Sequence, residues 1–191
     1  MTPLKILDVG DDPYERGLIH GRTLAGEVSE NAETYLAMFN SNGMARDEAL
    51  AEGGRWLPVI QESHPAYAEE MRGIASGADV PENLVGMLNA RYEIAFSLFG
   101  DEARSSGAFR EPEGCTSFGL MPEATANGAT IIGQNWDWLE GVQGRTVILR
   151  ISQSDGPNII SLNEAGIVGG KQGVNSAGIG LVENGLVSSN D

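Results

Sequence analysis

The chain has a single cysteine, Cys115, which lies just past the middle of its 191 residues and follows Gly114. A lone cysteine forms no internal disulfide, so it is either a buried structural thiol or a nucleophile. The preceding glycine adds a further hypothesis, because a residue without a side chain leaves its carbonyl open to attack. If the thiol cleaved the Gly114–Cys115 bond, Cys115 would become an N-terminus. Its own α-amine would then serve as the base.

A nucleophilic thiol needs a base, and the chain offers only two histidines, His20 and His64. No motif connects either of them to Cys115, so a Cys/His pair is one alternative and a structural role for each histidine is another. The α-amine of an N-terminal residue has a pKa of about 8, close to that of an ordinary thiol. Self-cleavage before Cys115 would therefore supply a matched base without a histidine.

Two polar residues further along the chain are candidate partners of Cys115. Asp137 follows a strand that is expected to pair with the Cys115 strand, so its carboxylate is a candidate to hold the new ammonium group. Asn184 follows another short strand, and its amide is a candidate oxyanion donor. The alternatives are an ordinary aspartate at a strand end and a turn asparagine. Trp136 and Phe118 are candidates to line an acyl pocket, or they are core residues.

Composition narrows the class of protein. Apolar residues make up 41% of the chain, as in a globular domain, and the net charge of −15 argues against nucleic acid or an anionic membrane as partner. No apolar run reaches membrane-spanning length and the N-terminus has no secretory pattern, so we expect a cytoplasmic location. No His, Cys or Asp cluster has metal-ligand spacing, so no metal is expected.

The first part of the chain has helical patterns. Asp12-Pro13 is typical of a helix start, and the apolar spacing from Tyr14 to Phe39 predicts one long helix. Further helices are predicted from Arg46 to Glu62, from Pro65 to Ser76 with Gly77 as the stop, and from Pro81 onwards. Residues 100–113 are polar and are predicted to form an exposed linker.

The pattern becomes strand-like after Cys115. Strands are predicted at 116–121, 130–135, 146–152, 158–163, 167–170, 173–174 and 179–183. The class is therefore α+β. Residues 1–114 form a helical segment with its linker, and residues 115–191 begin a β-rich segment. Together they form one domain whose sheet is expected to be incomplete in this chain.

Five sequence blocks occur in the same order as in a known family. They are Tyr14-Glu15-Arg16-Gly17-Leu18-Ile19-His20-Gly21; Glu70 to Ala78 with Leu88 to Glu93; Gly114-Cys115-Thr116-Ser117; Gly133-Gln134-Asn135-Trp136-Asp137; and Gly173 to Gly178. The chain thereby resembles the acyl-coenzyme A:6-aminopenicillanic acid acyltransferase family, also called isopenicillin N acyltransferase-like cysteine peptidases. These belong to the N-terminal nucleophile (Ntn) hydrolases.

The resemblance implies a fold and a reaction. The fold is an αββα sandwich of two antiparallel sheets, and the reaction is self-cleavage before Cys115 followed by hydrolysis or transfer of acyl groups at linear amide bonds through a thioester. Cys115 would be the nucleophile, Asp137 would position its amine, and Asn184 would bind the oxyanion. A small amide or acyl compound is the expected substrate. No cofactor is expected, although a coenzyme A thioester would be a suitable acyl donor.

The chain departs from the family in length, because family members continue well past this point. We therefore expect a complementary C-terminal chain or segment to complete the fold, and the sequence is also compatible with a homo-oligomer. The competing hypothesis is an inactive, unprocessed relic or binding module with the same fold.

Overall fold

A computed structural model describes residues 4–95 and 115–185. The predicted linker 100–113, Gly114 and the last residues, 186–191, lie outside the described part. Within that part, no helix has the combination of length and apolar character required to cross a bilayer.

Helices fill most of the first described range. They are α1 (Pro13–Thr23), α2 (Ala25–Ser41), α3 (Arg46–Ser63), α4 (Pro65–Ala78) and α5 (Glu82–Asn89), and residues 91–95 are helical as well. The predicted start of α1 is confirmed: Asp12 Oδ1 accepts the Glu15 N–H at 2.9 Å, and Pro13 is the first helical residue.

Two of the helix predictions were wrong in detail. The stripe that predicted one helix from Tyr14 to Phe39 belongs to two helices, which meet at Leu24 with φ −121° and ψ 26°. Gly77 does not stop α4, which ends instead at Asp79 in the left-handed conformation with φ 55°. The sequence cannot distinguish a glycine that ends a helix from one that lets two helices approach.

The strands form two sheets. They are β1 (Lys5–Val9), β2 (Thr116–Leu120), β3 (Ile131–Asn135), β4 (Thr146–Ile151), β5 (Ile159–Glu164), β6 (Gln172–Asn175) and β7 (Gly180–Leu181). The larger sheet has the order β1-β4-β5-β6-β7, and β2 pairs with β3 alone. Mixed helix and sheet content confirms the α+β class.

Two antiparallel sheets had been predicted, but the larger sheet also contains one parallel pair of strands. The sequence analysis missed β1, which pairs in parallel with β4 and places Ile6 opposite Ile148. It is five residues long and directly precedes the α1 cap, so the helical signals around it obscure it. The predicted strand at 167–170 is absent, because Gly169 and Gly170 have φ of 90° and 71°, which extended strands do not accommodate.

The core lies between the helices and one face of the larger sheet. Val147 and Leu149 of β4 are buried with Val28 and other helical side chains. On the opposite face, Ile160 and Val174 are 46% and 50% exposed. Strand β3 covers one corner of this opposite face, since a Cβ on Gly180 would lie 2.5 Å from Ile132 Cδ1.

Helices α1 and α4 are in direct backbone contact through glycines. A Cβ on Gly17 would lie 2.0 Å from Glu70 O, and a Cβ on Gly73 would lie 2.1 Å from Tyr14 O. Gly77 has the same role, because its Cβ would lie 2.4 Å from Leu18 O. These glycines occur in the first two of the five sequence blocks. Close packing of α1 against α4 therefore explains why glycine is needed at these positions of the blocks.

Helix side chains also hold the main chain of the loop after β5, residues 165–168. His20 Nε2 accepts the Gly166 N–H at 3.0 Å, and Asn89 donates to Gly166 O at 2.9 Å. Asn31 donates to Ala165 O at 2.9 Å. His20 is completely buried, and this burial lowers its pKa to about 4.

The glycine contact predicts the effect of Gly73→Ala. The new methyl group would collide with the α1 backbone, so the free energy of unfolding should fall by about 1–3 kcal/mol or more. Gly26 in α2 is the matched control, because a Cβ there meets nothing within 4 Å. Gly26→Ala should leave stability unchanged or raise it by up to about 1 kcal/mol. Urea unfolding of both variants is the measurement, and equal losses would contradict the packing argument.

Burial of His20 predicts a pH dependence of stability. The unfolded chain takes up a proton at His20 near pH 6.5, whereas the folded chain does so only near pH 4. Stability is therefore fully present above about pH 6.5 and decreases as the pH falls through this window, by roughly 3 kcal/mol in all. Urea unfolding between pH 7 and 5 should show that His20→Gln lacks this component and that His64→Gln, at an exposed site, retains it. An unchanged pH profile in His20→Gln would contradict this assignment.

Candidate active site at the end of the two-stranded sheet

The β2–β3 pair brings Cys115 beside the residues that follow β3. Thr116 is opposite Asn135 in the antiparallel register, so Cys115 and the segment after Asn135 leave the same end of the sheet. Cys115 is half-buried, and its Sγ donates to the main-chain oxygen of Asp137 at 3.9 Å. The thiol therefore contacts the carbonyl of the predicted partner, while the Asp137 side chain is exposed.

Asn184 reaches the same end of this sheet from the other sheet. Its Nδ2 donates to Ser117 Oγ at 2.8 Å, and its Oδ1 accepts from Gln134 Nε2 at 3.2 Å. Gln134 also accepts the Glu183 N–H at 3.1 Å. Since Ser117 and Gln134 are opposite each other in the β2–β3 register, Asn184 spans both strands two residues from Cys115.

The two candidate pocket residues have different surroundings. Phe118 is 54% exposed, and its ring covers Gly133, where a Cβ would lie 2.6 Å from the ring. Trp136 is half-buried and packs against the core cluster. Phe118 lies in β2, which directly follows Cys115, and Trp136 directly precedes Asp137. Their role in acyl binding stays a prediction.

A buried charged cluster that the sequence analysis missed lies next to Trp136 and Trp138. Glu164, at the end of β5, is completely buried and accepts from Tyr35 Oη at 2.7 Å. It also pairs with Lys171 Nζ at 3.1 Å and with Arg91 at 3.4 Å. This cluster thus contains two cations and one carboxylate, all within the protein interior.

Tyr35 connects this cluster to Trp138. Burial, together with the Glu164 carboxylate, raises the pKa of Tyr35 above its ordinary range, so the phenol stays protonated and donates to Glu164. The same oxygen accepts the Trp138 indole N–H at 2.7 Å and the Arg91 Nε–H at 3.2 Å. The residue directly after Asp137 is thereby anchored to the core.

One sequence signal could have identified part of this cluster. Glu164 and Lys171 delimit the glycine-rich, mostly apolar stretch Ala165 to Gly170, and Lys and Glu are seldom fully buried unless they are paired. Tyr35 and Arg91 lie on distant helices, and only the fold brings them to Glu164.

The histidines do not form a site with Cys115 in the described residues. His20 is occupied with the Gly166 N–H in the interior, and burial keeps its ring neutral. His64 is exposed at the junction of α3 and α4, where its ring lies 5.6 Å from that of Tyr67. This geometry gives no support to a Cys/His pair.

A scan against models of protein families gives no match for this chain. In a comparison with curated proteins, the chain is 34% identical over 175 residues to the acyl-coenzyme A:6-aminopenicillanic-acid-acyltransferase 40 kDa form of Emericella nidulans. The alignment covers 91% of this chain and 45% of the relative. The chain thus spans about half the length of the curated relative that it matches. This similarity supports the family resemblance inferred from the five sequence blocks.

Proposed function

We propose that this chain is part of a self-processing acyl-transfer enzyme in which Cys115 becomes the N-terminal nucleophile. One observation carries the proposal: Asp137 and Asn184 lie at the same end of the β2–β3 pair as Cys115. Cys115 Sγ lies 3.9 Å from Asp137 O, and Asn184 bonds to Ser117, two residues from the thiol, at 2.8 Å. The similarity to an acyltransferase and the absence of a histidine from these contacts support the same proposal.

The first step is cleavage of the chain. Cys115 Sγ attacks the Gly114 carbonyl carbon, the Gly114–Cys115 C–N bond breaks, and the departing nitrogen takes the thiol proton. The acyl group is now a thioester on Cys115. Water hydrolyses this thioester, which leaves a carboxylate on Gly114 and restores the thiol with a free α-amine beside it.

The second step is acyl transfer from a substrate. The α-amine of Cys115 accepts the thiol proton, and Sγ attacks the substrate carbonyl. The exposed Asp137 carboxylate holds the ammonium form. One N–H of the Asn184 amide already bonds to Ser117, and the second donates to the oxyanion. The leaving amine takes the proton, and the acyl group remains on sulfur until water or an acceptor amine removes it.

The substrates we propose are linear amides and activated acyl compounds of the thioester class. Such substrates need a surface that receives an acyl chain, and the candidates are Phe118, in the strand that follows Cys115, and Trp136, which directly follows β3. Phe118 is 54% exposed and offers an accessible aromatic face. Coenzyme A thioesters enter the proposal as acyl donors because the similar protein carries acyl-coenzyme A in its name.

We further propose that additional polypeptide covers the outer face of the larger sheet. Ile6, Ile160 and Val174 expose 56%, 46% and 50% of their surface on this face, and within residues 4–95 and 115–185 strand β3 lies over the corner at Gly180. A β-sheet face of this apolar character is normally packed against another layer. The relative with 34% identity extends beyond the aligned region, which is 45% of its length. We assign the covering layer to the part of the protein that corresponds to that extension.

Mass spectrometry of the protein purified from its full-length gene tests the proposal. The wild type should contain a polypeptide that begins at Cys115 and another that ends at Gly114. Cys115→Ala should remain uncut because it has no nucleophile, whereas Cys115→Ser should be cut more slowly.

Two outcomes would contradict the proposal. An uncut wild type would favour the unprocessed relic, and cleavage that persists in Cys115→Ala would assign the cut to another protease.

Binding of an apolar dye tests whether a further layer covers the outer face of the larger sheet. Residues 1–191 alone should bind more dye than the full-length product. Equal dye binding would reject the covering layer without affecting the cleavage result.

A further inference from the structure

Lys171 is a buried cation at the end of the loop that follows β5. Its side chain is 8% exposed, and its Nζ lies 3.1 Å from Glu164 Oε1 and 3.1 Å from Tyr92 Oη. An ammonium group has three N–H bonds, and these contacts account for two of them. Three aromatic rings also lie within about 6 Å of the ammonium group.

The rings around Lys171 include both tryptophans that flank Asp137. Nζ lies 4.9 Å from the ring centroid of Trp136 and 5.9 Å from that of Trp138. The Tyr92 ring is 5.2 Å away. A cation over an aromatic face in a desolvated setting stabilises the arrangement by about 2 kcal/mol. The position of Trp136 therefore depends on Lys171.

Trp138 is held by a second link to the same cluster, its N–H bond to Tyr35 Oη at 2.7 Å. Trp136 and Trp138 are both half-buried, whereas Asp137 between them is exposed. This is the alternation expected of an extended segment with one face against the core. Fixing the two indoles consequently fixes the main chain of Asp137, whose oxygen is 3.9 Å from Cys115 Sγ.

We propose that Lys171 is a positioning residue for Cys115, acting through Trp136 and Trp138 on the Asp137 main chain. This role deepens the proposed function and, where cleavage is concerned, rests on it. In the described part of the chain, Lys171 contacts Glu164 and aromatic side chains rather than the Cys115 thiol. It holds the segment against which the thiol is oriented before it attacks Gly114.

Lys171→Met is the variant that tests this role. The cluster keeps Arg91 beside Glu164, so the substitution leaves no isolated buried carboxylate and the chain should fold. Met also fills much of the volume of the lysine stem. Lys171→Arg keeps the charge and the stacking on the indoles, and it should restore the behaviour of the wild type.

Alkylation by iodoacetamide, followed by mass spectrometry of the peptide that contains Cys115, reports on this thiol specifically, and Cys115 is the only cysteine in residues 1–191. In Lys171→Met the thiol is no longer held against the Asp137 carbonyl. Its alkylation at fixed pH, compared on the uncut precursor of each protein, should be at least threefold faster than in the wild type, and self-cleavage of the precursor at least tenfold slower. Arg46→Met, which removes a cation from an exposed ion pair with Glu33, should change neither rate.

The outcomes separate this role from the proposed function. If Lys171→Met is alkylated at the wild-type rate, the positioning role is wrong, whether or not the chain is cleaved. If the wild type is never cleaved but Lys171→Met still accelerates alkylation, the positioning role stands and the self-processing proposal fails. Should Lys171→Met not fold, Trp136→Leu keeps the Lys171–Glu164 pair and should give the same acceleration. Unchanged alkylation in that variant would also reject the role.

Discussion

A completely buried carboxylate, Glu164, is the constraint on which the arrangement of this protein depends. Transfer of an ionised carboxylate into the interior costs several kcal/mol unless it is paired and hydrogen-bonded. Here Tyr35, Lys171 and Arg91 surround it at 2.7, 3.1 and 3.4 Å. These partners come from α2, from the loop before β6 and from the helical residues 91–95. Because these partners come from separate parts of the chain, the cluster admits few alternative packings of helices on sheet.

The same cluster extends towards the candidate site. Trp138 bonds to Tyr35, and Trp136 lies against Lys171, so the segment around Asp137 follows the position of the buried charges. The glycine contacts between α1 and α4 stabilise the neighbouring loop. They fix the position of α1, whose His20 accepts the Gly166 N–H in the loop after Glu164. Sequence blocks that lie far apart in the chain thus support one loop and one strand end.

The sequence analysis succeeded where signals are local. Asp12 and Pro13 predicted the start of α1, and the period-two patterns predicted β2 to β5 within one or two residues. The proximity of Asp137 to Cys115 was expected from the pairing of β2 with β3, which the structure contains, whereas Asn184 was named for its place after a short strand and from the family resemblance. Their catalytic roles stay predictions. What failed depends on distant contacts: Gly77 looks like a helix stop until α1 is seen against it, and β1 is stabilised by β4, more than 130 residues later. The Glu164 cluster draws its residues from separate elements, which no local spacing can reveal.

The central claim is that Cys115 carries acyl groups as an N-terminal nucleophile, and acyl trapping tests it most directly. The full-length product would be incubated with p-nitrophenyl acetate, quenched in acid and analysed by peptide mass spectrometry. The account predicts one acetyl group on a peptide whose first residue is Cys115. Hydroxylamine should remove this group, as it does with a thioester. Acetylation of Cys115 within an uncut chain, or no acetylation of Cys115, would contradict the account.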